Sequence, residues 1–326
     1  MSRKDTEKLP NLHEWAKIDY KKLANEMVKS GINKQDWTLE NDFDVLKNYI
    51  QFHYILCELS QRIFYYDKEN ATLEATKNKN ERGEPSDKAK YALFNLNILK
   101  NIKNPEMNYL YCLFKRNSEN EKWNFEKIIS REDKCWNYTI RDINKLSMYS
   151  KFEITGDKIP PIEKLDFKDI YFNTNHIFEK KENEDTNKER IKRFLPESLR
   201  SILNEEYTEF IIESIIGYNI YNIYKIDKIE DIKKECLMSW PIMELNRENL
   251  VGVNFMFPLR IKDDICGALV LRATSNNGKL QLTTILDLEQ AYKGAKLYDP
   301  RFSSEWLTID NVNKAIKLGC IENLNF

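Results

Sequence analysis

The chain has 326 residues, 41% of them hydrophobic and 12% aromatic, so a sizeable core is expected, since folding at this length removes about 75% of the unfolded surface from water. Its 51 basic and 52 acidic residues give a formal net charge of -1, which excludes a whole-molecule field that would draw it to nucleic acid or membrane; any phosphate-binding patch must be made by the fold. There is no run of about 18 apolar residues to span a bilayer, the opening Met1-Ser2-Arg3-Lys4-Asp5 lacks the apolar stretch of a secretory signal, and Cys57, Cys112, Cys135, Cys236, Cys266 and Cys320 stand in no metal or redox spacing, so the expectation is a cytoplasmic protein with reduced core thiols.

From Asp42 to Tyr66 the residues Val45, Leu46, Tyr49, Ile50, Tyr54, Leu56, Leu59, Ile63 and Phe64 recur at three- and four-residue spacings, predicting a helix with one broad buried face. Asn41 or Asp42 is suited to cap it. Asp67 to Lys90 is polar, with Gly83 and Pro85 and little to bury, and predicts a mobile excursion. Order returns in three short aromatic-rich segments, Tyr91 to Leu96, Asn108 to Phe114 and Trp123 to Ile129, which read as an antiparallel meander.

Pro160-Pro161 marks a break, Asp169 to Phe172 a brief further strand, and Glu179 to Lys192 a charge run. Between Tyr207 and Ile226 only a narrow stripe, Glu209, Glu213, Asn219 and Asn222, is polar, which predicts a helix set deep in the protein. Val251 to Leu259 and Cys266 to Ala273, joined through Lys262-Asp263-Asp264, read as a hairpin; Asn276-Asn277-Gly278 is a turn before a strand at Leu280 to Leu286 and a helix at Asp287 to Leu297. The predicted class is α+β, an antiparallel-dominated mixed sheet of about six strands with packed helices. The domain reading is a helical N-terminal part over 1–90 with the polar excursion at 67–90, an α+β core over 91–310 continuous with it, and a C-terminal tail over 311–326.

Several ordered blocks carry a resemblance: Phe94-Asn95 before Tyr109 to Phe114 and Trp123; His176-Ile177 and Arg193-Phe194-Leu195-Pro196; Phe257-Pro258-Leu259; Ala268-Leu269-Val270; Thr284 to Leu297; and Trp306-Leu307. On these the chain resembles the uncharacterised domain-of-unknown-function family 3825 over nearly its whole length. It departs from the family pattern at Leu96-Asn97, where Thr-Gly is usual, at Ala295-Lys296, where Ala-Arg is usual, and before the hairpin, where Lys233 to Pro241 keeps little of a basic Asn-Tyr-Lys stretch. The resemblance implies an association with RNA, because relatives of the family are fused to cold-shock and OST-type winged-helix modules.

His176 is one of three histidines and precedes Lys188, Arg190, Lys192 and Arg193; a histidine among cations is placed to act as acid and base on a phosphate ester. The alternative is a histidine hydrogen-bonded within a loop. Lys192, Arg193 and Arg200 are suited to grip phosphates, and the alternative is a solvated mixed-charge face, since Glu179, Glu182, Glu184, Asp185, Glu189 and Glu197 are interleaved. Arg272 and Lys296 extend the candidate phosphate site if the fold gathers them, and Tyr292 shares a helix strip with Lys296. Asp287 reads as an N-cap. No P-loop, dinucleotide glycine motif, nucleophile elbow or metal-binding helix is present, so no cofactor or metal is expected. The first functional reading is an RNA- or nucleotide-binding domain with phosphoester chemistry at His176, its partner single-stranded RNA or a nucleotide; the alternative is a non-enzymatic protein-protein interaction module. Neither involves a membrane.

Overall fold

A computed structural model describes residues 10–32, 37, 43–59, 63–66, 89–99, 109–118, 121–130, 162–172, 192, 194–201, 205–239, 253–273 and 279–320. The chain is α+β and divides into two compact units, Met1–Gly156 with Glu244–Leu250 and Asp157–Met243 with Val251–Phe326. The continuous core expected over 91–310 is therefore split, and the strands form two five-stranded sheets where about six strands in one sheet were expected. Of the polar stretch 67–90, only Ala89 and Lys90 fall among the described residues.

The first unit contains α1 (Leu12–Trp15), β1 (Ala16–Lys17), α2 (Tyr20–Lys29), α3 (Asp44–Leu59), β2 (Phe64–Tyr66), β3 (Tyr91–Leu99), β4 (Tyr109–Lys115) and β5 (Trp123–Ile129), with sheet order β1-β5-β4-β3-β2. The meander β3-β4-β5 is antiparallel as its sequence predicts, while β1 joins β5 in parallel. Phe64 to Tyr66, expected as the end of the helix, instead pairs with Leu93 to Tyr91 as an edge strand. Trp15 ties the helices to the sheet, its ring centroid lying 5.0 Å from Tyr54, 5.0 Å from Phe114 and 5.7 Å from Trp123. Both faces of the sheet are filled, since Leu93, Tyr111, Leu113 and Ile129 form a separate buried cluster.

The second unit contains β6 (Asp166–Tyr171), α4 (Glu197–Arg200), α5 (Glu205–Tyr224), α6 (Ile229–Glu235), β7 (Leu237–Ser239), β8 (Asn254–Ile261), β9 (Asp264–Ala273), β10 (Lys279–Leu286), α7 (Leu288–Tyr298) and α8 (Ile309–Lys317), with sheet order β6-β10-β9-β8-β7. Among the described residues of this unit β6 and β10 pair in parallel and the other neighbours antiparallel. The predicted hairpin is β8-β9, closed by Lys262-Asp263, with Lys262 at φ 57° in the left-handed conformation that two-residue hairpin loops demand. Gly267 lets β9 approach its neighbour, because a Cβ there would lie 2.9 Å from the Leu286 carbonyl. The residues from 311 onward are not all tail: α8 is capped at its start by Thr308 and ends where Gly319, at φ 71°, lets Cys320 N–H reach Ala315 O and Gly319 N–H reach Ile316 O. Among the described residues, no helix is long and apolar enough to cross a membrane.

Helix α5 departs most from its sequence reading. It is apolar nearly all round, yet it buries one strip only, Thr208, Ile212, Ile216, Asn219 and Ile223, against β6 and β8. Its rotation is set by Asn219. That side chain accepts from Arg260 N–H at 2.8 Å and donates to Arg260 O at 2.9 Å and to Ile215 O at 2.9 Å. The ladder from β7 to β8 stops at Met256, so the amide stands where a neighbouring strand would pair, and Pro258, which has no N–H, sits on the same unladdered stretch. The C-terminal end of α5 is held by Lys168 of β6, whose Nζ donates to Tyr224 O and lies 3.1 Å from Asp227 Oδ1; a cation there also favours the helix dipole.

Replacing Asn219 by Leu would preserve the apolar packing but strand two partly buried backbone groups of Arg260. Urea unfolding of Asn219→Leu should show a loss of about 2 kcal/mol or more, given at least about 1 kcal/mol for each of the two partly buried groups left unsatisfied. A variant as stable as the wild type would show that the amide does not anchor the helix.

Candidate functional site

His176 and Arg193 lie outside the described residues. Of the remaining members of the sequence-predicted phosphate site, Arg200 and Arg272 each hold a partner of their own within the fold. Arg200, on α4, donates from Nη2 to Gly319 O at 2.6 Å. Arg272, on β9, donates from Nε to Asn254 Oδ1 at 3.2 Å. Lys192 is half-buried.

Tyr292 and Lys296 meet, and they do so in the interior. Lys296 is 2% exposed and Tyr292 3%, because the strip of α7 that they share with Leu288, Ala291 and Ala295 is its buried face. The ammonium donates to Pro300 O at 3.0 Å and lies 5.4 Å and 4.7 Å from the ring centroids of Tyr292 and Phe302. Carbonyl and ring faces compensate part of the lost hydration of a buried cation. The pair expected at a phosphate-facing surface is thus a polar element of the core, a correction that follows from the rotation of α7.

Asp287 is the N-cap of α7 as its position predicts, its Oδ1 accepting from Gln290 N–H at 2.7 Å. Loss of solvent around the carboxyl pushes its pKa up to about 6, although the Gln290 N–H and Lys293 pull it down. Lys293 is itself paired with Glu289 one turn earlier.

A cleft of about 440 Å³ lies between α5, α6 and β8. Four of the five charged residues that line it are paired: Arg260 Nη2 donates to both carboxylate oxygens of Glu235 at 3.0 and 2.8 Å, and Lys234 meets Asp231 at 2.7 Å, while Glu305 is the fifth. Among the described residues, no group of three or more His, Cys, Asp or Glu is arranged to hold a metal ion. The five described cysteines are buried and stand outside any disulfide, as their apolar neighbours predict.

The opposite side of α5 carries five of the seven exposed large hydrophobic residues among those described. Between Tyr207 and Tyr224 its exposed positions are Tyr207, Phe210, Ser214, Tyr218, Tyr221 and Tyr224, none of them charged. Phe210 is 68% exposed and Tyr218 62%. The rings of Tyr221 and Tyr224 lie 6.4 Å apart and nearly parallel, with Lys225 Nζ 4.4 Å from the first and Lys168 Nζ 4.7 Å from the second. Phe210 and Tyr218 also border a shallow groove of about 340 Å³ with Arg260 and Lys262. Single exposed apolar residues are ordinary, but a contiguous aromatic stripe marks a surface of interaction. A sequence signal for it exists: isoleucine occupies the buried positions 212, 216 and 223, while aromatic rings occupy 207, 210, 218, 221 and 224.

Comparison with protein-family models, with curated proteins and with solved structures finds no match.

The Asp287 carboxyl binds its proton more tightly folded than unfolded. Its contribution to stability is therefore complete below the usual carboxylate range and lost as pH rises through about 6. Asn caps as well as Asp and does not titrate. Urea unfolding across the range from about pH 4 to about pH 7 should show Asp287→Asn gaining on the wild type as pH rises; parallel profiles would mean that the carboxyl is not desolvated.

Proposed function

We propose that this protein is a non-enzymatic interaction module that docks another protein on the aromatic face of α5. The observation that carries the reading is that stripe of five rings, each about half exposed or more, with no charge among the exposed positions between its ends. Tyrosine suits such a role: it offers large contact area with few torsions to immobilise, and its hydroxyl tolerates water when the site is empty. A charged or fully polar face would satisfy solvent equally well; a face of rings leaves apolar surface in water that binding would remove.

A second reading, single-stranded RNA stacked on the same rings, draws on Lys225 and Lys168, which lie over Tyr221 and Tyr224. RNA sites combine stacking rings with a cationic groove that follows the backbone. Here Lys168 and Lys225 stand at one end of the stripe and Lys262 borders the groove beside Phe210 and Tyr218, while Arg260 is already paired with Glu235. The neutral net charge adds no pull toward phosphates. The protein partner is the better fit.

A photoreactive phenylalanine analogue placed at position 210 or 218 of the full chain should yield protein adducts in the producing cell, while the same group at the exposed Asp310 on α8 should not. Adducts to RNA would replace this reading with the second one, and absence of any adduct at both positions would overturn it.

A further inference from the structure

We infer that the occupant of the α5 face is a second copy of this chain, with the two α5 helices antiparallel about a twofold axis at Ser214; the inference rests on the interaction-surface reading above. The stripe is a palindrome in chain position. Tyr207 and Tyr221 lie seven residues either side of Ser214, and Phe210 and Tyr218 lie four residues either side. All five positions are exposed. An isologous contact between identical surfaces requires residue i to meet j while j meets i. Antiparallel pairing centred on Ser214 meets that requirement, setting Phe210 against Tyr218 and Tyr207 against Tyr221 at both ends.

The centre is built for close approach. Ser214 is small, and its hydroxyl is turned back onto Phe210 O at 2.8 Å. Gly217 follows less than one turn later. Among the described residues a Cβ there would meet nothing within 4 Å, so none of them crowds out the side chain that would spare the helix about 1 kcal/mol relative to glycine. A second helix lying across this point would use the space.

Charge specifies the direction. The sequence of α5 opens on Glu205-Glu206 and is followed by Lys225 and Lys228. Antiparallel pairing sets the acidic end of each copy at the level of the basic end of the other and opposes the two helix dipoles; parallel pairing would stack like on like. The area is sufficient: five rings of about 150–250 Å² each, roughly half of it exposed, give about 1,000 Å² over both copies, the lower bound for a specific interface. Association at micromolar concentrations is expected from an area of that size.

Light scattering on the eluting full chain at micromolar concentration should report twice the 38.9 kDa chain mass. Ser214→Arg, at an exposed position, should weaken that association by about a hundredfold or more, since it sets like charges face to face at the axis. Single cysteines, introduced with Cys135→Ser because that position lies outside the described residues, then read the direction beside five native thiols that are buried. Under mild oxidation Ser214→Cys should form a disulfide-linked dimer, Tyr207→Cys alone should not, and a mixture of Tyr207→Cys with Tyr221→Cys should. Self-linkage of Tyr207→Cys, or a monomeric wild type, overturns the inference. A monomer that still gives adducts to a different protein at position 218 removes only the second copy and leaves the interaction-surface reading standing. A monomer without adducts removes both.

Discussion

Asn219 grips the backbone of Arg260 through both its donor and its acceptor, and the exposed surface of the second unit depends on that contact. An apolar-all-round helix has no hydrophobic face to orient it, since isoleucines and aromatic rings compete to be buried. A buried amide breaks the degeneracy because its alternatives leave unpaired polar groups in the interior. With Asn219 turned to the sheet, Ile212, Ile216 and Ile223 go in and the rings come out. Lys168 secures the far end by taking up carbonyls at the helix C-terminus.

The same logic runs through α7, with the opposite outcome for function. There Asp287 caps the start, Glu289 and Lys293 pair along the side, and Lys296 sits inside against a carbonyl and two ring faces. A cation that reads in sequence as a hand for phosphate is used to satisfy the core. The candidate surface therefore moves from a scattered set of cations to one continuous helix face, and the chemistry moves from charge recognition to burial of aromatic area.

Much of the fold was legible from the chain alone. The meander, the β8-β9 hairpin, β10 and its abrupt passage into α7 all followed from period-two and period-3.6 patterns and from turn residues, because those signals are local. The cap at Asp287 was legible for the same reason. The division into two sheets was not, since strand pairing between distant segments leaves no local mark. Nor was helix α8, since its amphipathic run is short and lies near the C-terminus, where a tail is the expectation. The candidate surface was half legible: the segregation of isoleucine from tyrosine along α5 stands in the sequence, but an apolar helix of this kind is expected to be buried.

By itself the sequence determined the α+β class, most element positions, the burial of the five described cysteines and the near-neutral charge, all of which depend on composition or on spacing within a single element. Only the tertiary structure decided which side of α5 and which side of α7 meets solvent, and hence that Tyr218 is outside while Lys296 is inside. The physical reason is that a helix can be rotated about its axis without changing one residue. Its facing is chosen by what the neighbouring strand leaves unpaired, here the N–H and C=O of Arg260.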